Sequence, residues 1–160
     1  MFSGKTILGK RLAHQLAYDF LDTDKYIETE CRCTIMEFFQ QHGEAAFRLK
    51  ERQLLERLKD IDHTVIATGG GLPCYGDAMN WIVSHGVSVY LKADVETLYN
   101  RFKNAAAQRP LLNGLSDEAV LQKIQTHLTE REIYYNRATI TIDSNYDQLD
   151  TLVQRLHEIV

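Results

Sequence analysis

The feature that most constrains the fold is an alternation of short apolar segments with longer stretches of helical periodicity. The apolar segments are four or five residues long and predict strands at residues 19–22, 64–68, 87–91 and 139–143. Amphipathic stretches separate them. Strands joined by crossover helices form a parallel sheet, and such a sheet needs helices on both faces. We therefore predict a three-layer α/β/α fold.

The spacing of leucines and other apolar residues predicts the helices. We expect Gly43 to open a new helix, and Asp94 and Ser116 to cap the helices that follow them. The chain has 160 residues and contains neither repeats nor Pro/Ser-rich linkers, so we expect a single domain over residues 1–160. The predicted helices cover residues 5–17, 25–41, 43–59, 75–85, 94–104, 116–135 and 149–159.

Composition narrows the class of protein. A hydrophobic fraction of 44% argues against a disordered chain, and apolar runs are too short for a transmembrane helix. The net charge of -4 is unlike the basic excess of nucleic-acid binders. Three cysteines without a secretory signal predict reduced thiols in the cytoplasm. They make a poor zinc site, and the six histidines are expected at the surface.

One tripeptide suggests phosphate binding. Gly4-Lys5-Thr6 opens the first predicted helix and matches the second half of the G-x-x-x-x-G-K-[ST] pattern. Helix amides and a lysine hold phosphate in such loops, and the threonine hydroxyl ligates magnesium. The first glycine of the pattern and the strand before it are absent. Either the match is a coincidence or the sequence starts late within the motif.

Two further patterns follow predicted strands. Asp22 and Asp24 are two residues apart, and on an extended backbone both side chains point the same way, as a magnesium ligand and a base require. Two turn aspartates, one of them a helix cap, are the alternative. Residues 69–71 are three glycines after a buried strand, which let a ligand approach bare amides or simply form a flexible connection.

Three arginines are candidates for anion binding. Arg131 lies on an apolar helical stripe, where an unpaired charge is costly and an anion is expected. Arg48 follows inward Phe47, and two arginines that face one cleft suit a carboxylate. Arg109 lies in the longest loop, from which an arginine can close over a phosphate. A structural ion pair or a solvated side chain is the alternative for each.

Together these segments resemble the shikimate kinase family over nearly the whole chain. Those small P-loop kinases, of the nucleoside-monophosphate-kinase type, transfer the ATP γ-phosphate to the 3-hydroxyl of shikimate, on the pathway to chorismate and the aromatic amino acids. The resemblance implies ATP and Mg²⁺ as cofactors. We also expect a cytoplasmic monomer without nucleic-acid or membrane partners. The matching segments, in family order and spacing, are GKTILGKRLA, DFLDTDKYIE, TIMEFFQQHGEAAFR, VIATGGG, QRPLL and EREIYYNRA.

The resemblance also implies residue roles. On the acceptor side, helices over about residues 25–59 bind shikimate, and Asp24 grips its hydroxyls and acts as base. The other acceptor-site positions are Arg48, Arg131, Phe39, Phe47, Gly69, Gly70 and Gly71. On the nucleotide side, Asp22 lies near magnesium and a lid spans about residues 105–115. The other nucleotide-site positions are Gly4, Lys5, Thr6, Arg101 (near an arginine beside the adenine) and the lid residue Arg109.

The sequence departs from the family at a few places. Phe2 and Arg32 stand where the family usually has glycine, and the first strand is missing. We expect the native chain to begin about ten residues earlier, with a strand and a glycine. In this chain we expect either an interruption in the middle of the sheet or strands pulled together across it. Two alternatives remain open: another small-molecule P-loop kinase resembling gluconate kinase, and a non-catalytic relative.

Overall fold

Short parallel strands alternate with helices, as predicted. The computed structural model describes residues 2–107, 116–146 and 148–159. Its elements are α1 (Lys5–Leu16), β1 (Asp19–Asp22), α2 (Thr23–Cys31), α3 (Ile35–Leu58), β2 (Thr64–Ala67), a 3₁₀ turn (Leu72–Cys74), α4 (Ala78–His85), β3 (Val89–Lys92), α5 (Val95–Ala107), α6 (Asp117–Tyr135), β4 (Ile140–Asp143) and α7 (Leu149–Ile159).

The strands form two parallel pairs. β1 pairs with β2 in the register Asp19 to Thr64 through Asp22 to Ala67. β3 pairs with β4 from Val89 opposite Ile140 onward. Among the residues described above, these two-stranded sheets are separate, which agrees with the expected interruption. The parallel pairing confirms the predicted α/β class.

The chain divides into two compact units. One contains Thr6–Val87 and therefore α1 from Thr6 onward, the β1–β2 pair and the helices α2 to α4. The other contains Met1–Lys5 and Ser88–Val160, with the β3–β4 pair and α5 to α7. We call them the β1–β2 unit and the β3–β4 unit. The single domain expected over residues 1–160 stays a prediction.

The core of the β1–β2 unit lies between α2 and α3. Its buried members are Ile27, Phe38, Phe47, Leu54 and Leu58, and Leu21 and Ile66 of the two strands pack against them. Because burying one such side chain contributes about 1.5–3 kcal/mol, this cluster fixes both helices against the strand pair.

Local signals set the helix ends in this unit. Gly43 has φ 77° and ψ 172° and interrupts α3, as the sequence predicts. The side chain of Thr34 caps that helix and exchanges hydrogen bonds with Glu37, three residues on, which forms a capping box. Of the two interpretations of the aspartate pair, the helix cap is the one observed: α2 begins at Thr23, so the backbone is not extended from Asp22 to Asp24.

In the β3–β4 unit, a second core joins α5 to α6. Its buried residues are Ala93, Leu98, Val120 and Ile124, and Phe2 and Phe102 pack at its margin. Both predicted caps are present: Asp94 accepts a 2.6 Å hydrogen bond from the Thr97 amide, and Ser116 accepts one from Ala119. None of the described helices combines the length and hydropathy of a membrane span.

Candidate active site

The glycine run is fixed to the first turn of α2. Asp22 and Ala67 are register partners, so β1 and β2 end side by side. The amide of Gly69, just past β2, donates a 2.8 Å hydrogen bond to the hydroxyl of Thr23, which is fully buried. The run that the sequence left open as a flexible connection is therefore anchored at its first glycine.

Asp22 joins α1 to the start of α2. Its Oδ2 accepts a 2.9 Å hydrogen bond from the hydroxyl of Thr6. Its Oδ1 accepts from the amides of Asp24 and Lys25 and so caps α2. The carboxylate of Asp22 therefore caps α2 with one oxygen and binds Thr6 with the other.

Asp24 and Glu51 lie against Gly69. A Cβ atom at Gly69 would overlap Oδ1 of Asp24 and lie 3.4 Å from Oε1 of Glu51. The contact with Glu51 is an ordinary one, but only glycine lets the backbone pass this close to Asp24. Asp24 belongs to the first turn of α2, so the helix, and not an extended strand, directs its side chain.

Arg48 is held by two glutamates of its own helix. Its Nη1 donates to Glu51 at 2.7 Å, and Nε and Nη2 donate to Glu44 at 3.2 and 2.8 Å. A guanidinium has five N–H groups, so two are left without an acceptor among the described residues, one on each terminal nitrogen. Two parallel N–H groups are what a carboxylate needs for a bidentate contact.

Burial affects the charges of this ion pair. Burial raises the pKa of Glu51, and the hydrogen bond from Arg48 opposes that rise. Burial likewise disfavours the charged form of Arg48, but the hydrogen bonds that it donates to Glu51 and Glu44 outweigh this effect and raise its pKa. Arg48 therefore stays a fixed cation although its side chain is only 12% exposed.

Aromatic rings surround the guanidinium. The rings of Phe39 and Phe47 lie with centroids 4.8 Å apart. Arg48 lies 5.7 Å from the Phe47 centroid and 5.9 Å from that of Tyr75, a residue 56% exposed. These are cation–π distances, and they add an apolar wall to the cluster.

The β3–β4 unit holds other predicted positions. Arg131 lies half-buried on α6, and it makes neither a hydrogen bond nor an ion pair with the residues that the structure describes. His127, one turn earlier, is the exception to the expected surface histidines, since its buried Nδ1 has no hydrogen-bond partner in the described chain. Burial, and next the charge of Arg131, lower the pKa of His127.

The remaining predicted nucleotide positions lie at the chain start and on α5. Gly4 has φ 88° and immediately precedes α1, which begins with Lys5. Arg101 of α5 binds main-chain oxygens, among them that of Ser3 at 3.0 Å. Arg109 lies outside the described residues, as does the predicted lid beyond residue 107.

Sequence reasoning missed Glu51, Glu44, Thr23 and Tyr75. The two glutamates carry a readable signal, because they lie three residues after and four before Arg48, the spacings at which helical side chains meet. Thr23 and Tyr75 carry none. In the described ranges the structure places no cluster of three or more His, Cys, Asp or Glu side chains that could hold a metal ion.

The fold and the site together define a class of protein. A Gly-Lys-Thr tripeptide opens a helix, the threonine reaches an aspartate at a strand end, and a glycine run follows the neighbouring parallel strand. In α/β proteins ligands bind at the carboxyl ends of parallel strands. This arrangement is that of a small P-loop kinase.

The comparisons with known proteins give the family. The family model described as "Shikimate kinase" matches residues 1–160. A shikimate kinase of Bacteroides fragilis is 37% identical over 164 residues, covering 100% of this chain and 92% of that protein. One of Chlorobium chlorochromatii is 40% identical over 159 residues, covering 96% of this chain and 83% of that protein.

Solved structures agree. The crystal structure of shikimate kinase from Bacteroides thetaiotaomicron superposes with a TM-score of 0.86 at 34% identity, covering 99% of this chain and 92% of that one. Shikimate kinase from Acinetobacter baumannii, in complex with shikimate, gives 0.83 at 33% identity, covering 99% and 87%. The chain belongs to the shikimate kinase family, and the predicted fold, family and kinase activity are confirmed.

Proposed function

We propose that this chain catalyses transfer of the γ-phosphoryl group of ATP to the 3-hydroxyl of shikimate, giving shikimate 3-phosphate and ADP. A bond forms between the acceptor oxygen and the γ-phosphorus, and the bond from that phosphorus to the β,γ-bridging oxygen breaks. The hydroxyl proton passes to Asp24. The observation that carries the proposal is the preformed cluster of Arg48, Asp24 and the glycine run.

Arg48 is proposed to bind the shikimate carboxylate. Its two uncommitted N–H groups match the two oxygens of a carboxylate, and Glu51 and Glu44 fix the guanidinium before substrate arrives. Arg131 is the second proposed carboxylate ligand, supported by its half-buried position without an ion pair among the described residues. The faces of Phe39 and Phe47 suit the apolar side of a cyclohexene ring.

Asp24 is proposed to orient the 3-hydroxyl and to accept its proton. Its carboxylate lies directly against the glycine run, at the point where only a glycine backbone fits beside it. Phosphoryl transfer depends mostly on positioning and charge neutralisation. We therefore expect the 3-hydroxyl proton to pass to Asp24 late in the transfer.

The nucleotide side is proposed to involve Gly4, Lys5 and Thr6, with Arg101, and with Arg109 closing from the lid. Thr6 and Asp22 present hard oxygen donors 2.9 Å apart, the ligand type that Mg²⁺ prefers, so these residues fit the ion and would hold it. When bound, Mg²⁺ supplies neutralisation of phosphate charge. Lys5 contributes a positive charge toward the same phosphates.

The test is release of ADP with shikimate, with gluconate and without an acceptor. We expect ADP release with shikimate, and none with gluconate or without an acceptor. Arg48→Ala should weaken shikimate binding by about 2–5 kcal/mol, because it leaves a desolvated carboxylate without its partner, and should leave the KM for ATP unchanged. Arg57→Ala is the matched control, since Arg57 lies on the same helix, is 53% exposed and pairs with Glu30.

The outcomes separate the alternatives. Phosphorylation of gluconate would contradict the assignment. So would an Arg48→Ala variant that loses affinity for ATP but still binds shikimate. Binding of both ligands without turnover would identify a non-catalytic relative. We further propose a cytoplasmic monomer, which size-exclusion chromatography with light scattering tests for the oligomeric state.

A further inference from the structure

Arg101 ties three separate parts of the β3–β4 unit together. From its place on α5, Nη1 donates to the main-chain oxygens of Phe2 at 3.3 Å and Ser3 at 3.0 Å, and to the Ser144 hydroxyl at 3.2 Å. Nη2 donates to the main-chain oxygen of Ser144. One side chain therefore binds the segment before the Gly-Lys-Thr tripeptide and the turn after β4.

The segment that Arg101 binds has an unfavourable backbone conformation. Phe2 has φ 57°, in the left-handed region that a bulky residue rarely adopts, and Gly4 follows with φ 88°. A non-glycine residue in this region is strained and persists there only where the surroundings hold it, whereas Gly4 adopts its positive φ freely. Here Arg101 supplies polar contacts, and the adjacent Phe102 packs edge-on against Phe2 at 5.5 Å.

The direction of these carbonyls decides where the next amides point. In a trans peptide the C=O of one residue and the N–H of the next are antiparallel. With the carbonyls of Phe2 and Ser3 turned to Arg101, the amides of Ser3 and Gly4 point away from it. Those amides immediately precede Lys5 and are part of the loop that binds phosphate.

We infer that Arg101 is a positioning residue for the phosphate loop: it binds the loop's carbonyls and thereby directs the loop's amides toward the phosphates of the nucleotide. The inference rests on the proposed function for the identity of the ligand. It differs from the contact with adenine that the family resemblance implies, because it acts through the loop and does not require a base.

A ligand without a base separates the two roles. We would measure by calorimetry the dissociation constants of the full chain for inorganic tripolyphosphate and for ATP. Since the lost hydrogen bonds have a charged donor, Arg101→Ala should weaken both ligands by the same factor, about tenfold. Arg101→Lys should restore part of the affinity, because lysine keeps the charge without the planar fork. The KM for shikimate should not change.

Arg155→Ala is the matched control. Arg155 of α7 also donates to a main-chain oxygen of the same unit, that of Thr141 at 2.9 Å, but on β4 and not on the loop. It should leave both dissociation constants unchanged. If Arg101→Ala does not fold, Arg101→Lys replaces it, with a smaller loss expected equally for both ligands.

The outcomes are distinct from those of the proposed function. Loss of ATP affinity with unchanged tripolyphosphate affinity would overturn the inference in favour of a contact with the base. Unchanged affinity for both, equal losses in Arg155→Ala, or no binding of tripolyphosphate by the wild-type chain would also overturn it. Equal losses confined to Arg101 in a chain that does not phosphorylate shikimate would support it while refuting the proposed function.

Discussion

Gly71→Ala tests whether the position of Arg48 controls shikimate binding. A methyl carbon at residue 71 would lie 2.7 Å from both terminal nitrogens of Arg48. Non-bonded heavy atoms lie at about 3.5 Å or more, so the guanidinium would have to move by about 0.8 Å. That movement lengthens its bonds to Glu51 and Glu44, now 2.7 and 2.8 Å, and turns its remaining N–H groups away from the substrate.

The expected loss falls mainly on binding. One charge-assisted hydrogen bond is worth about 1.5–3 kcal/mol, so shikimate should bind about ten- to one-hundredfold more weakly. The backbone of Gly71, with φ -87° and ψ -20°, suits alanine, so any fall in melting temperature comes from the weakened bonds of Arg48 to Glu51 and Glu44 and not from backbone strain.

The assay is calorimetric titration with shikimate beside thermal unfolding. Gly86→Ala is the control, since no heavy atom lies within 4 Å of a Cβ placed there. Wild-type shikimate affinity in Gly71→Ala would refute the reasoning, because it would mean that binding does not depend on where Arg48 is held.

Two further predictions concern Asp24 and His127. Asp24→Asn should lower kcat by about 10²–10⁴-fold, because the amide cannot accept the proton; near-normal turnover in a coupled assay would move the base role elsewhere. The pKa of His127 is lowered from 6.5, chiefly by burial, so the folded state resists its protonation and stability is lost as pH falls below 6.5. Between pH 7 and pH 5.5, the melting temperature of His127→Leu should therefore fall less than that of the wild type. Mutation of exposed His157 is the control and should leave the fall in melting temperature as in the wild type.

Much of the fold could be predicted because it is encoded locally. The β-branched residues 64–68 and the apolar spacing of the helices indicate their own conformations, and strand–helix alternation implies parallel pairing. Gly43 and Ser116 carry their signals within a single turn of chain. The order of the family segments predicted the kinase class for the same reason, since each segment is contiguous.

The sequence left an alternative open where local patterns overlap. Asp22 could either continue an extended strand to Asp24 or cap the next helix, and in the structure its carboxylate accepts two amide hydrogen bonds and starts α2. A capping residue ends one element and begins the next, and the sequence does not determine which preference prevails there.

By itself, the sequence determined the types of elements, their order, and the residue types available for phosphoryl transfer. The tertiary structure alone decided which of them meet. Gly69 lies beside Asp24, Gly71 beside Arg48, and Arg101 against Ser3, although tens of residues separate each pair in the chain. Periodicity reports only the face on which a side chain lies. Which residue that side chain contacts is set by the packing of helices and strands against each other. Because many side chains share the burial in that packing, no single position in the sequence encodes the contact.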